Sequence, residues 1–167
     1  VAYVPIYCSN TERAECFNTP GADAVTFSDK NAFWVCNWVS NMVYPRYSQL
    51  FPALKEVRDS LDNAFLAAQK GVEAKAESLY ATDKAAAVKY LNDYSIQKSN
   101  EMIARWRQLA IHLIVKFNDM AVKPEKDGKF LRTSTGLGEH VKRPGYSDYF
   151  KRELVKQTGD KFAVPNK

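Results

Sequence analysis

The sequence predicts a mainly α fold: an antiparallel hairpin of two long helices, a buried aromatic helix beside it, and an N-terminal strand whose sheet lies mostly outside this chain. Three observations carry that expectation. Apolar residues recur every three or four positions over residues 52–80 and again over 84–117, the spacing of one helix face. Only a short polar link separates the two stretches, so the helices must run back along each other. Residues 32–39, AFWVCNWV, are almost wholly apolar, and a helix apolar nearly all round is a covered helix.

Taken in order, residues 2–8, AYVPIYC, read as a strand, with Val4, Ile6 and Cys8 alternating against Tyr3, Pro5 and Tyr7. Pro5 cannot donate to a ladder, which makes the strand an edge or an irregular one. No other segment offers it a partner strand, and a lone strand is not stable. Residues 9–28 are loop-like, with Thr19-Pro20-Gly21 as a turn, and Ser28 or Asp29 is placed to cap a helix over residues 30–44. Pro45 is expected to end that helix.

The second helix is expected to begin near Pro52, a residue suited to a first helical position. Leu54, Val57, Leu61, Ala64 or Phe65, Ala68, Val72, Ala76 and Leu79 mark its inner face. The third follows Thr82 or Asp83 as cap, with Val88, Leu91, Ser95, Met102, Trp106, Leu109, Leu113 and Phe117 as its seam. A second stripe, Ile103, Ala110 and Ile114, occurs only in its later half, where a second neighbour, the aromatic helix, is therefore expected. Residues 121–167 read as a separate basic, loop-rich tail with one short helix over residues 148–158, capped by Ser147 and stopped by Gly159. Residues 1–120 form the main body.

Composition bounds the function. The 167 residues are 46% apolar and 26% charged, values of an ordinary folded domain, and no run approaches the roughly 20 apolar residues of a membrane span. Through Val115 there are 12 Lys and Arg against 12 Asp and Glu; from Lys116 onward there are 12 against 7. The whole excess of five sits in the tail, which argues against a basic folded core built for nucleic acid. A first residue of Val rather than Met points to a processed protein or a piece of a longer one.

No complete catalytic constellation emerges. Cys8, Cys16 and Cys36 have no zinc spacing. Cys36 reads as a small apolar residue within the aromatic helix, and Cys8 with Cys16 could pair in an exported protein. His112 falls between Ile111 and Leu113 on a helix, and His140 in the loop-rich tail; both read as structural or solvated. TGLGEH, residues 135–140, lacks the ending and the following helix of a phosphate loop. Arg46, between Tyr44-Pro45 and Tyr47, is the one substrate-anchor candidate. The competing reading is an Arg that bonds carbonyls at the end of the aromatic helix.

Several blocks resemble a known family. YVPIY, the Thr-Pro turn, SDKNAFWVCNWVSNMVYPRYSQLFPALKEVRDSL and YLNDYSIQKSNEMIARWRQLAIHLIVKFND are similar, in order and spacing over about residues 2–120, to the C-terminal part of the bacterial dipeptidase A family of cysteine peptidases. The tail from Asp119 resembles extensions on some members. The resemblance implies an N-terminal-nucleophile hydrolase, in which a first-residue Cys attacks the dipeptide carbonyl with its own α-amine as base. The chemistry would sit in two sheets between helix layers. Residue 1 here is Val, and the block that carries the nucleophile is absent. No internal Cys can replace it, because none has a free α-amine.

The implied activity therefore belongs to the parent protein, with no catalytic residue, cofactor or metal site expected in this chain. Its expected partner is the N-terminal catalytic portion of the same protein, the dipeptide being substrate of the whole. The expected interaction face comprises Tyr3, Ile6, Phe33, Trp34 and Trp38, through which the fragment alone would self-associate. The source would be bacterial, in the cytoplasm or exported. The alternative is a stand-alone helical module whose basic tail meets anionic partners. An independent thiol enzyme would need a Cys that alkylates fast at neutral pH.

Overall fold

The computed structural model describes residues 2–7 and 12–162. The chain divides into two compact units, Val1–Ile114 and Val115–Lys167. Three helices make the first: α1 (Ala32–Val43), α2 (Tyr47–Tyr80) and most of α3 (Lys84–Phe117). The hairpin α2–α3 is antiparallel. Lys98 lies over the Phe65 ring and Lys75 over the Tyr90 ring, pairs about equally far along the chain from the Ala81–Asp83 link. Asp83 caps α3 by accepting from the Ala86 amide at 2.9 Å, which satisfies one of the donors a helix start leaves open.

The core lies at the open end of the hairpin. Phe65, Met102, Trp106, Ala110 and Leu113 are at most 1% exposed there. α1 packs on α2 and buries the stripe Ala32, Val35, Val39 and Val43. Toward the link the buried residues shrink to Val72, Ala76 and Ala87. The later half of α3 buries Met102, Ile103, Trp106, Leu109, Ala110 and Leu113, as the second stripe in the sequence anticipates. Two positions differ from that reading: Val88 is exposed while its neighbour Ala87 is buried, and Ile114 is exposed. Near the link one neighbour suffices, so a small residue takes the contact.

The helix starts also differ from expectation. Asn31, not Ser28 or Asp29, caps α1 by accepting from the Trp34 amide. Pro45 does not break the chain direction as an extended residue would. It falls in a 3-10 turn, Tyr44–Arg46, that runs into α2. α2 begins at Tyr47, five residues before the Pro52 start expected from the sequence. Pro52 removes one bond to the carbonyl of Ser48, which is exposed and open to water, while starting early buries Leu50. The apolar gain outweighs one replaceable hydrogen bond.

Residues 2–7 form no ladder with any described segment and do not make the strand that the sequence predicts. Their burial repeats every three residues rather than two: Ala2 and Pro5 are buried, Tyr3 and Ile6 exposed, Val4 and Tyr7 intermediate. A three-residue repeat is that of a polyproline-type segment, which Pro5 favours. Side chains of the hairpin hold its backbone: Tyr3 N–H donates to Asp62 Oδ1 at 2.7 Å and Tyr7 N–H to Ser95 Oγ at 2.9 Å. Cys8, expected at the end of the strand, lies outside the described residues.

In the second unit, a reading of mere loop gives way to a small β arrangement. β1 (Glu125–Lys126) and β2 (Lys129–Phe130) form an antiparallel hairpin closed by Asp127-Gly128, whose φ angles are 53° and 73°. Two successive positive φ values are those of the tight hairpin turn that Asp-Gly favours. Bridges join Val122 to Lys142 and Arg132 to Gly138. The short helix α4 (Asp148–Thr158) forms where expected, with Ser147 Oγ accepting from the Phe150 amide at 3.2 Å. Gly159 ends it with a φ of 64°.

Candidate functional site

The aromatic cluster on α1 is the most unusual feature of the first unit. Asn31, as cap, sets the helix phase so that the Val35–Val39–Val43 stripe turns inward. With that stripe inside, Phe33 must point away, and it is 57% exposed. α1 is thus not covered nearly all round, as its composition suggests; one stripe is buried and the opposite side carries rings.

Trp34 and Trp38 are half-buried rather than open. The loop before α1 folds back over them: Phe27 sits edge-on to Trp34 at 5.8 Å and to Trp38 at 6.2 Å. Trp34 Nε1–H donates to the carbonyl of Asp23 at 2.8 Å, and Asp23 in turn accepts from the Val25 amide. Arg107 on α3 holds the base of the loop through Asp29 at 2.9 Å. The cover is itself apolar. Phe27 is 58% and Val25 90% exposed, so the outer surface of the cluster is Val25, Phe27 and Phe33. Of the five residues expected to form one face, Phe33 is exposed here and the two tryptophans form the floor, while Tyr3 and Ile6 are exposed along the hairpin, Tyr3 bonding Asp62 and Ile6 lining a cavity with Ser95 and Ser99. Sequence reasoning missed Phe27, because nothing in a loop pattern shows which helix the loop will cover.

A cavity of about 330 Å³ lies beside the N-terminal segment, with Ile6, Arg13 and Phe17 among its walls. Ser95 and Ser99, one α3 turn apart, also line it. Both serines are spent on the helix itself, donating to the carbonyls of Leu91 and Ser95 at 2.8 and 2.7 Å. Their small side chains leave the space open.

Arg46, the substrate-anchor candidate, sits in the turn between α1 and α2 and its guanidinium donates to Gln49 Oε1. Burial pushes its pKa down. Its hydrogen bond makes it a brace for the turn. Cys16 is a buried free thiol whose pKa burial raises to about 11, and burial also pushes the Cys36 thiol up. Neither is a poised nucleophile, since a reactive thiol has a lowered pKa. His112 is half-buried on α3 and His140 exposed in the second unit. Among the described residues no group of three or more His, Cys, Asp and Glu gathers to hold a metal, and no helix is long and apolar enough to cross a membrane.

Comparison of the chain with protein-family models, with curated proteins and with solved structures gives no match.

Proposed function

We propose that this chain is a C-terminal, mainly structural segment of a bacterial cysteine dipeptidase of the N-terminal-nucleophile type, and that the catalytic portion of the same protein packs on it. The observation that carries the reading is the apolar cluster Val25, Phe27 and Phe33, left exposed above the half-buried Trp34 and Trp38. Apolar residues so grouped mark an interaction site more often than chance exposure. Residues 2–7 add backbone that is held only by side chains on the described side, leaving it open to ladder pairing from another segment. The block order quoted above supplies the family. The raised thiol pKa values of Cys16 and Cys36 speak against an independent thiol enzyme.

The test uses the catalytic portion of the parent, expressed separately. The chain alone should show no dipeptide hydrolysis, should self-associate in size-exclusion chromatography at micromolar concentration, and should bind that portion. Phe27→Ser with Phe33→Ser should weaken both associations while the helical circular dichroism stays. A clean monomer with no affinity for the catalytic portion refutes the packing. Dipeptide hydrolysis by the chain alone refutes the assignment, because no N-terminal thiol is present to do the chemistry.

A further inference from the structure

We propose that the β arrangement of the second unit, residues 122–143, is a docking surface for an anionic lipid membrane, gripped by Lys126, Lys129, Arg132, Lys142 and Arg143. This inference does not rest on the dipeptidase reading and deepens the alternative one, a helical module whose basic tail meets anionic partners.

The argument begins with where charges are placed. Six Lys and Arg stand against three Asp and Glu between residues 122 and 143. Elsewhere in the unit three cations are matched, Lys116 with Glu125, Lys151 with Asp148 and Lys156 with Glu153, while Arg152 and Lys161 stand exposed outside the β arrangement. Lys123 is spent on the carbonyl of Val115 and the side chain of Asn118. Lys126, Lys129, Arg132, Lys142 and Arg143 have no ion-pair partner among the described residues, and all five are exposed. Asp127 and Glu139 are the exposed anions of the segment, two against these five cations.

The fold then concentrates the unmatched charge. Lys126 and Lys129 are register partners across the hairpin, which puts both side chains on one face about 5 Å apart at Cβ. That is well inside the roughly 10 Å screening length at moderate salt. Like charges directly opposite each other oppose pairing, and this hairpin has only two residue pairs to hold it. The Val122–Lys142 and Arg132–Gly138 bridges bring the other cations into the same small body. A surface bearing anions at high density relieves the Lys126–Lys129 repulsion.

Lipid is favoured over nucleic acid by what stands among the cations. Single-stranded nucleic acid wants several exposed rings for successive bases to stack on, and of the two rings of residues 122–143 Phe130 is half-buried and only the small His140 imidazole is exposed. The exposed apolar group is instead Leu137, 69% open. It sits in the turn where Thr133 N–H bonds the Leu137 carbonyl at 2.8 Å, one residue from Gly138, the partner of Arg132. An aliphatic tip beside lysines and arginines suits the boundary between headgroups and acyl chains.

The experiment is co-sedimentation of the full chain with vesicles of phosphatidylglycerol and phosphatidylcholine, and with phosphatidylcholine alone. Binding is expected only to the anionic vesicles and should fall as salt rises. Each Lys near an anionic surface contributes about 1 kcal/mol, so Lys126→Gln with Lys129→Gln should weaken binding about 30-fold. Arg132→Gln with Arg143→Gln should do the same without touching the hairpin. Lys55→Gln with Lys89→Gln removes equal charge from the first unit and should leave binding within about threefold of the parent chain, a difference of less than one such contact. Absence of binding at low salt, or equal losses for all three pairs, overturns the proposal. Tighter binding to a DNA or RNA duplex than to the vesicles, lost with the same substitutions, overturns the lipid assignment in favour of nucleic acid.

Discussion

The Tyr7 amide donates to the Ser95 hydroxyl at 2.9 Å, tying the N-terminal segment to α3. Ser95 is 5% exposed and itself donates to the Leu91 carbonyl at 2.8 Å, so its oxygen faces Tyr7 with a lone pair. Ser95→Ala should release the segment at a cost of about 1 kcal/mol, the net value of one hydrogen bond. Amide exchange at Tyr7 should accelerate while amides in the middle of α2 stay protected. Unchanged exchange at Tyr7 would mean that Asp62 and the buried Pro5 alone secure the segment.

Trp106 is 1% exposed on α3, within the part of the helix that buries two stripes. Trp106→Ala should destabilise the chain by about 3–5 kcal/mol, the range for removing a large buried aromatic. Urea unfolding measures it. A loss under about 1 kcal/mol, far below that range, would show that the core closes over the space left behind.

Phe27 is the lid on both tryptophans. Phe27→Ala should shift their emission to the red, since water then reaches the indoles, and should cost about 1 kcal/mol for the two edge-on ring contacts. Emission identical to that of the parent chain would mean that the Asp23 bond to Trp34 holds the loop closed unaided.

Stability should fall in alkali. Burial raises the Cys16 thiol from about 9 to about 11, so over that interval the unfolded chain has lost a proton that the folded chain retains. The contribution of Cys16 is therefore fully present below pH 9 and disappears as pH rises through 11. Cys36, Tyr7 and Tyr94 are raised as well, all first by burial, and act in the same direction. Urea midpoints measured across this range should decline for the parent chain and decline less for Cys16→Ala. In the same way, alkylation of Cys16 at neutral pH should be slow until the chain unfolds.

The hairpin, its antiparallel sense and the Ala-rich narrowing toward the link follow from the sequence alone, because a spacing of three to four residues over two long stretches admits one kind of element and a three-residue link one way to join them. The Ser147 and Gly159 boundaries of α4 are equally local, since a cap bonds a residue only three positions away. Asp-Gly at 127–128 is a local hairpin signal too, though the strands it joins are only two residues long. Tertiary packing decided the rest. Pro52 is carried inside α2 because burying Leu50 outweighs one carbonyl left to water, a comparison that residue preferences do not contain. Trp34 and Trp38 lie beneath Phe27 because a loop without periodicity happens to return to α1, and only the folded chain brings residues seven and eleven positions apart into ring contact. The aromatic helix exposes Phe33 for the same reason: composition tells how apolar a helix is, and its neighbours determine which side is covered.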